Sequence, residues 1–170
     1  MTSLQSSKIA EPINLREWVA PYGSRPVGRL FTCGRPGRAT LGLAYVAVSV
    51  DIMDLWVSGL PRAEVLHIVS LLGWRKKGNS EFGYYPFRSC EEPGPGPTFE
   101  EWLNKRYSQR FIVHELPTAD HQGIPPETLD RAKCQLLSLL EQRQTTIVID
   151  SAGAERTVRV CEAIGWRLIK

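Results

Sequence analysis

The sequence has few of the residues from which metal and redox centres are built. It contains three histidines and four cysteines, with no Cys-x-x-Cys pair and no histidine at ligand spacing from a cysteine. This pattern argues against a zinc site and is typical of free thiols in a cytosolic protein. We therefore expect no metal and no other cofactor. The cysteines are Cys33, Cys90, Cys134 and Cys161.

Long apolar runs and a large excess of one charge are also missing. No segment approaches the roughly 20 apolar residues that a membrane-spanning helix needs. The N-terminal sequence, MTSLQSSKIAEPINLREW, lacks the basic and then apolar layout of a signal peptide. The net charge of +3 is too small to indicate a nucleic-acid partner. These absences predict a cytoplasmic protein that binds neither membranes nor nucleic acids.

What is present is an alternation of strand-like and helix-like segments. A chain of 170 residues can bury one substantial core, and we expect a loose tail over residues 1–25 and a single domain over residues 26–170. Short connections between the segments favour an α/β domain with a largely parallel central sheet flanked by helices. The expected core residues are Ile147, Val148, Ile149, Val113, Leu136, Leu140, Val160 and Ile164.

The segments themselves are assigned from periodicity, turn residues and caps. Thr98 and Glu101 form a capping box at the start of a helix, and Pro126 begins the longest helix. Expected strands are Arg29–Cys33, Leu43–Val50, Asp54–Ser58, Phe82–Phe87, Arg110–Leu116 and Thr145–Ile149. Expected helices are Arg62–Trp74 behind Pro61, the segment after Thr98, Pro126–Gln142 and the segment from Arg156.

The segment TTIVIDSAGAERTVRV, Thr145–Val160, predicts a strand, a tight loop and a helix N-terminus. Successive backbone amides that curl into a helix N-terminus point at one spot and attract an anion there. Small residues let the backbone come close to that anion, and Gly153 is free to take a positive φ. Arg156 adds a planar fork that suits two phosphate oxygens. The small residues of the loop are Ser151, Ala152, Gly153 and Ala154.

This segment resembles the signature of the cysteine-dependent protein phosphatases, specifically the compact dual-specificity group. DSAGAERT matches the xSAGxxRT part of that signature, and VHELPTADHQGIPPETLDRA resembles the family's general-acid loop. The resemblance implies a phosphatase-like sheet, a nucleophile position at Asp150 and a general-acid position at Asp120, 30 residues earlier. It also implies a phosphate loop made of Ser151, Ala152, Gly153, Ala154, Glu155, Arg156 and Thr157.

The sequence departs from the family at the reactive atom. Asp150 stands where the family has its nucleophilic cysteine, and Ile149 stands where it has a histidine. Two unit charges about 4 Å apart repel by roughly 4 kcal/mol at an effective dielectric constant near 20. Asp150, and Glu155 beside it, should therefore disfavour bound phosphate. We expect the Asp150 carboxylate to take the loop amides and Arg156 as its own partners.

Another departure is length, because only 14 residues follow Arg156, whereas the family usually continues with further helices. We expect a domain truncated at its C-terminus, with that face covered by the N-terminal half or by a partner subunit. The predicted function is a catalytically inactive, phosphatase-like binding or scaffolding module. It would have a protein partner or form a homo-oligomer, and it would bind phosphate or another anion weakly.

Two alternatives remain open at this point. The chain could be an active phosphatase, a phosphoric monoester hydrolase, in which an engineered change placed Asp150 where cysteine belongs. Ile149 argues against a single engineered change, because the neighbouring histidine would have been left in place. The other alternative is a rhodanese-like domain, whose loop is shorter and whose inactive copies often carry Asp in place of Cys. The long helix that begins at Pro126 fits the phosphatase layout better.

Overall fold

A twisted sheet forms the centre of the molecule. The computed structural model describes residues 12–23, 25, 27–37, 49–72, 96–118 and 123–169, and in this part the sheet has six strands in the order β4-β3-β5-β2-β1-β6. Strands β4, β3, β5 and β2 run parallel, β1 pairs antiparallel with β2, and β6 pairs antiparallel with β1. The strands are β1 (Arg16–Val19), β2 (Leu30–Gly34), β3 (Val65–Ser70), β4 (Arg110–Glu115), β5 (Thr145–Asp150) and β6 (Arg167–Leu168).

The helices of the described residues cover both faces of this sheet. They are α1 (Val50–Gly59), α2 (Phe99–Arg106), α3 (Pro126–Glu141) and α4 (Arg156–Ala163). Helices α1 and α2 pack in one apolar cluster, with Ile147 and Ile149 of β5. Helices α3 and α4 pack in a second cluster, with Val148 of β5. Because side chains alternate along a strand, β5 contributes to both clusters and is buried on both faces.

The structure confirms the mixed α/β class and the largely parallel sheet. Thr98 and Glu101 form the predicted capping box, with both reciprocal hydrogen bonds present, and α3 begins at Pro126 as predicted. Six of the expected core residues are at most 1% exposed, whereas Val113 and Ile164 are only partly buried against the clusters. The six are Ile147, Val148, Ile149, Leu136, Leu140 and Val160.

Two predicted elements have the wrong type. The segment Asp54–Ser58 is not a strand but the second half of α1, which begins behind Ser49, whose hydroxyl accepts from the Ile52 amide. The segment Arg62–Trp74 is not a helix, since it contains β3, which pairs with β4 on one side and β5 on the other. A strand buried on both faces is apolar at nearly every position, so its sequence fits a helical stripe equally well.

The N-terminal region contributes to the sheet. Residues 16–19 lie inside the segment that was predicted to be a loose tail, yet they form β1 between β2 and β6. Several other predictions fall outside the described residues, namely the strand Phe82–Phe87, most of the strand Leu43–Val50, Asp120 and Cys90. Within the described part, Val50 is the first residue of α1.

Candidate functional site

The candidate loop lies at the carboxyl edge of the parallel strands. Strand β5 leads into α4 on one face of the sheet, whereas the neighbouring strand β2 is followed in the described chain by α1 on the opposite face. In open α/β sheets, ligands bind in the crevice outside the carboxyl ends of two such strands. In this protein the loop that follows Asp150 lies beyond the carboxyl ends of β5 and β2.

Asp150 is the centre of the loop and is 2% exposed. Its Oδ1 accepts a hydrogen bond from the Gly153 amide, and its Oδ2 accepts one of 3.0 Å from the Thr157 amide. Thr157 is the second residue of α4. The carboxylate therefore caps the helix N-terminus from the end of β5 and is stabilised there by the helix dipole. The predicted capture of loop amides by Asp150 is present in the structure.

The end of β2 supports the loop from beneath. The Arg35 amide donates to the carbonyl oxygens of Asp150 at 2.8 Å and Ser151 at 3.4 Å. Gly153 has φ of +71°, and a Cβ there would lie 2.4 Å from the backbone of Cys33 and Gly34. Only glycine fits this position, because the left-handed conformation and the close approach both exclude a side chain.

The N-terminal segment holds the loop from outside. The Asn14 side-chain amide donates to the Ala152 carbonyl at 2.7 Å, and Arg16 Nη2 donates to the Gly153 carbonyl at 2.6 Å. The Gly34 amide, beneath the loop, donates to the Ile13 carbonyl at 2.9 Å. The residues before β1 thus contact both the loop and the strand end that supports it.

Arg156 does not pair with Asp150, contrary to the expectation from the sequence. Arg156 is 7% exposed, and its Nη1 donates to the Leu71 carbonyl and to the Thr118 hydroxyl. Thr118 also donates to the Leu71 carbonyl, through its amide and its hydroxyl. Arg156 therefore joins α4 to the segments that follow β3 and β4. No ion pair between Arg156 and Asp150 is present in the described part of the chain.

The remaining predicted loop residues range from buried to exposed, with Ala152 between the two. Ser151 is 9% exposed, whereas Ala154 and Glu155 are exposed at the tip of the loop. Thr157 is fully buried, and its hydroxyl has no hydrogen-bond partner in the part of the chain that the structure describes. Hydrogen bonds thus join Asp150 to Gly153 and Thr157, whereas the Arg156 side chain contacts Leu71 and Thr118.

A second polar group lies on the α3 face of the sheet. His67 Nδ1 and His114 Nε2 are 3.0 Å apart, and His67 Nε2 is 3.2 Å from Gln144 Oε1. Since the Gln144 oxygen is an acceptor, His67 Nε2 carries the proton, and His114 Nε2 then donates to His67 Nδ1. Burial lowers the pKa of both histidines, and for His114 the charge of His67 lowers it further. The donor and acceptor assignment above is that of the pair with both imidazoles neutral.

Sequence reasoning missed the residues that support the loop, above all Asn14, Arg16 and Thr118. Asn14 has φ of +55°, a conformation that asparagine tolerates better than most residues. No local pattern marks such a residue as a partner for a loop 138 positions away. Arg16 carried no signal of its own, because single arginines are common on protein surfaces.

Neither a membrane-spanning helix nor a group of three or more potential metal ligands occurs among the described residues. Comparisons of the chain with protein-family models, with curated proteins and with solved structures returned no match.

Proposed function

We propose that this protein is a phosphatase-like binding or scaffolding module without phosphatase activity. The observation that carries the proposal is the position of the Asp150 carboxylate, which accepts hydrogen bonds from Gly153 and Thr157 inside the loop. In a phosphate-binding loop, those amides would bind the substrate's oxygens. Here the protein supplies the anion from its own chain.

Phosphate would have to displace this carboxylate or share the loop with it. At about 4 Å, the repulsion of roughly 4 kcal/mol calculated above corresponds to about a thousandfold loss of affinity. Glu155, an exposed residue of the same loop, adds a second negative charge. We therefore expect the unaltered protein to bind phosphate weakly or not at all, which fits a non-catalytic role.

A thiolate nucleophile has no candidate within the loop. Among the described cysteines, Cys33 comes closest, since its backbone lies beneath Gly153. Its side chain is fully buried in the apolar cluster on the α1 face. Cysteines buried in this way are structural and chemically inert. Cys161 of α4 is also fully buried, and desolvation raises the pKa of its thiol.

Turnover of an aryl phosphate tests the proposal. The unaltered protein is compared with Asp150→Cys, which places a thiol at the nucleophile position. The control is Asp150→Ser, because serine is similar in size to cysteine but has no thiol. We expect no turnover by the unaltered protein above that of Asp150→Ser. Hydrolysis that depends on Asp150 in the unaltered protein would contradict the proposal.

The binding role implies a partner, and the proposal includes a protein partner or a second copy of the chain. Light scattering of the purified chain over a range of concentrations separates the two. A mass that rises with concentration supports a homo-oligomer. A constant monomer mass removes that form of the proposal and leaves a different protein as the partner.

A further inference from the structure

Two hydrogen bonds from the N-terminal segment fall on consecutive peptide units of the loop. Asn14 Nδ2 donates to the Ala152 carbonyl, and Arg16 Nη2 donates to the Gly153 carbonyl. These carbonyls belong to the peptide units 152–153 and 153–154. Each side chain therefore holds one peptide plane of the loop from the outside.

The orientation of a peptide plane decides where its amide points. In a trans peptide unit the carbonyl and the following N–H point in opposite directions. Since the Ala152 carbonyl points outward to Asn14, the Gly153 N–H points inward, and it donates to Asp150 Oδ1. The Gly153 carbonyl is held by Arg16 in the same way, and the Ala154 N–H of that peptide unit points away from Arg16.

We propose that Asn14 and Arg16 are positioning residues that hold the peptide units on either side of Gly153, so that the Gly153 amide points toward the anion position of the loop. The proposal rests on the proposed function, in which this loop holds an anion, now the Asp150 carboxylate. The proposal makes Asn14 and the first residue of β1, Arg16, parts of the site. The two residues act on the bound anion through the loop backbone.

The conformation of Asn14 supports this role. Its φ of +55° places it in the left-handed region, where asparagine is favoured over most other residues. This backbone conformation and the hydrogen bond to Ala152 occur together. A residue that served only to begin β1 would need neither.

Arg16 shows a similar departure from a purely structural role. Its Nε is buried and has no hydrogen-bond partner among the described residues, although its Nη2 donates to the Gly153 carbonyl. An unsatisfied buried donor opposes folding. If the side chain at this position only filled space, an apolar residue would stabilise the fold more, because it would bury no unsatisfied donor.

The experiment measures the Gly153 amide by NMR in the full chain without added anion. In Asn14→Asp, a near-isosteric change, the donor becomes an acceptor that faces the Ala152 carbonyl. We expect the Gly153 amide proton to move upfield and its protection from hydrogen exchange to fall by about tenfold. The Leu71 amide, which donates to Ile149 at the end of β5, should keep its protection.

Matched variants separate positioning from general loss of stability. Arg16→Lys keeps a donor for the Gly153 carbonyl and should retain the Gly153 signal, whereas Arg16→Met should lose it. Glu17→Gln changes the next residue of β1, which pairs with Arg29 on the surface, and should leave Gly153 unaffected. If Asn14→Asp does not fold, Asn14→Gly keeps the left-handed conformation without the donor and should give the same loss at Gly153.

Binding of inorganic phosphate to Asp150→Ala is measured in parallel, because it tests the proposed function separately. An unchanged Gly153 amide in Asn14→Asp and in Arg16→Met would overturn the positioning role, whatever the phosphate result. A shifted Gly153 amide supports the positioning role. If Asp150→Ala then binds no phosphate, the claim that the loop is an anion site fails, while the effect of Asn14 and Arg16 on the amide stands.

Discussion

Replacement of Asp150 by alanine should destabilise the protein and open its loop to an external anion. The change removes both acceptors of the Gly153 and Thr157 amides, which are buried. A buried donor without a partner costs about 1–3 kcal/mol. Allowing for water that enters the space, we expect the free energy of unfolding to fall by about 2–4 kcal/mol. For a chain of this size, that corresponds to a fall in Tm of roughly 4–16 °C.

The assay is urea unfolding in a buffer without oxyanions, repeated with inorganic phosphate. A ligand at 100 times its Kd adds about 2.7 kcal/mol to the stability of the folded state, so phosphate should recover much of the loss in Asp150→Ala. It should leave the unaltered protein unchanged. Asp150→Asn keeps one acceptor oxygen and should show an intermediate stability. Equal stability of Asp150→Ala and the unaltered protein, or equal stabilisation of both by phosphate, would refute the reasoning.

Three other features give testable expectations. Because burial holds the pKa of His67 and His114 below their unfolded value near 6.5, stability should be constant above that pH and decline as pH falls below it. In urea titrations between pH 7 and 5.5, His67→Gln should flatten this decline, and an unchanged slope would contradict the account. Gly153→Ala should cost about 2–5 kcal/mol in the same assay, since it forces a Cβ into backbone at positive φ. Gly123→Ala, where a Cβ meets nothing within 4 Å, should be nearly neutral, and equal losses would count against the packing argument. Asn104 covers the outer edge of β4 with two hydrogen bonds to the Phe111 backbone. Asn104→Ala should therefore raise the mass measured by light scattering, because an uncovered strand edge favours self-association. An unchanged mass would contradict this protective role of Asn104.

The sequence predicted the parts of the fold whose signals are local. The capping box of Thr98 and Glu101 needs only residues three positions apart, and it forms as expected. Pro126 at the start of α3 and the β-branched run of β5 are likewise local. The strand, loop and helix around Asp150 could therefore be placed before any tertiary contact was known.

The strand β3, second from the edge of the sheet, was predicted as a helix because it is buried on both faces. Leu66 and Ile68 face one apolar cluster, and Val69 faces the other. A strand covered on both faces shows no alternation of apolar and polar residues, so period alone cannot identify it. Its pairing with β4 and β5 decides its structure, and that pairing joins residues far apart in the chain.

The candidate site shows the same division. The role of Asp150 in the loop followed from charge and amide geometry, and its hydrogen bonds to Gly153 and Thr157 agree. The partner of Arg156 could not be predicted from the sequence, because the Leu71 carbonyl lies 85 positions away and no sequence pattern marks it. Asn14 lies in the segment predicted to be a loose tail. Its contact with the loop became evident only from the structure, in which β1 lies beside β2.

The central claim is that the Asp150 carboxylate occupies the anion position of the loop. A crystal structure grown in the presence of tungstate, a phosphate mimic with strong anomalous scattering, tests it most directly. We predict Asp150 within hydrogen-bonding distance of the Gly153 and Thr157 amides and no tungstate in the loop, with tungstate bound there in Asp150→Ala. Tungstate in the loop of the unaltered protein, with Asp150 turned away from those amides, would contradict the account.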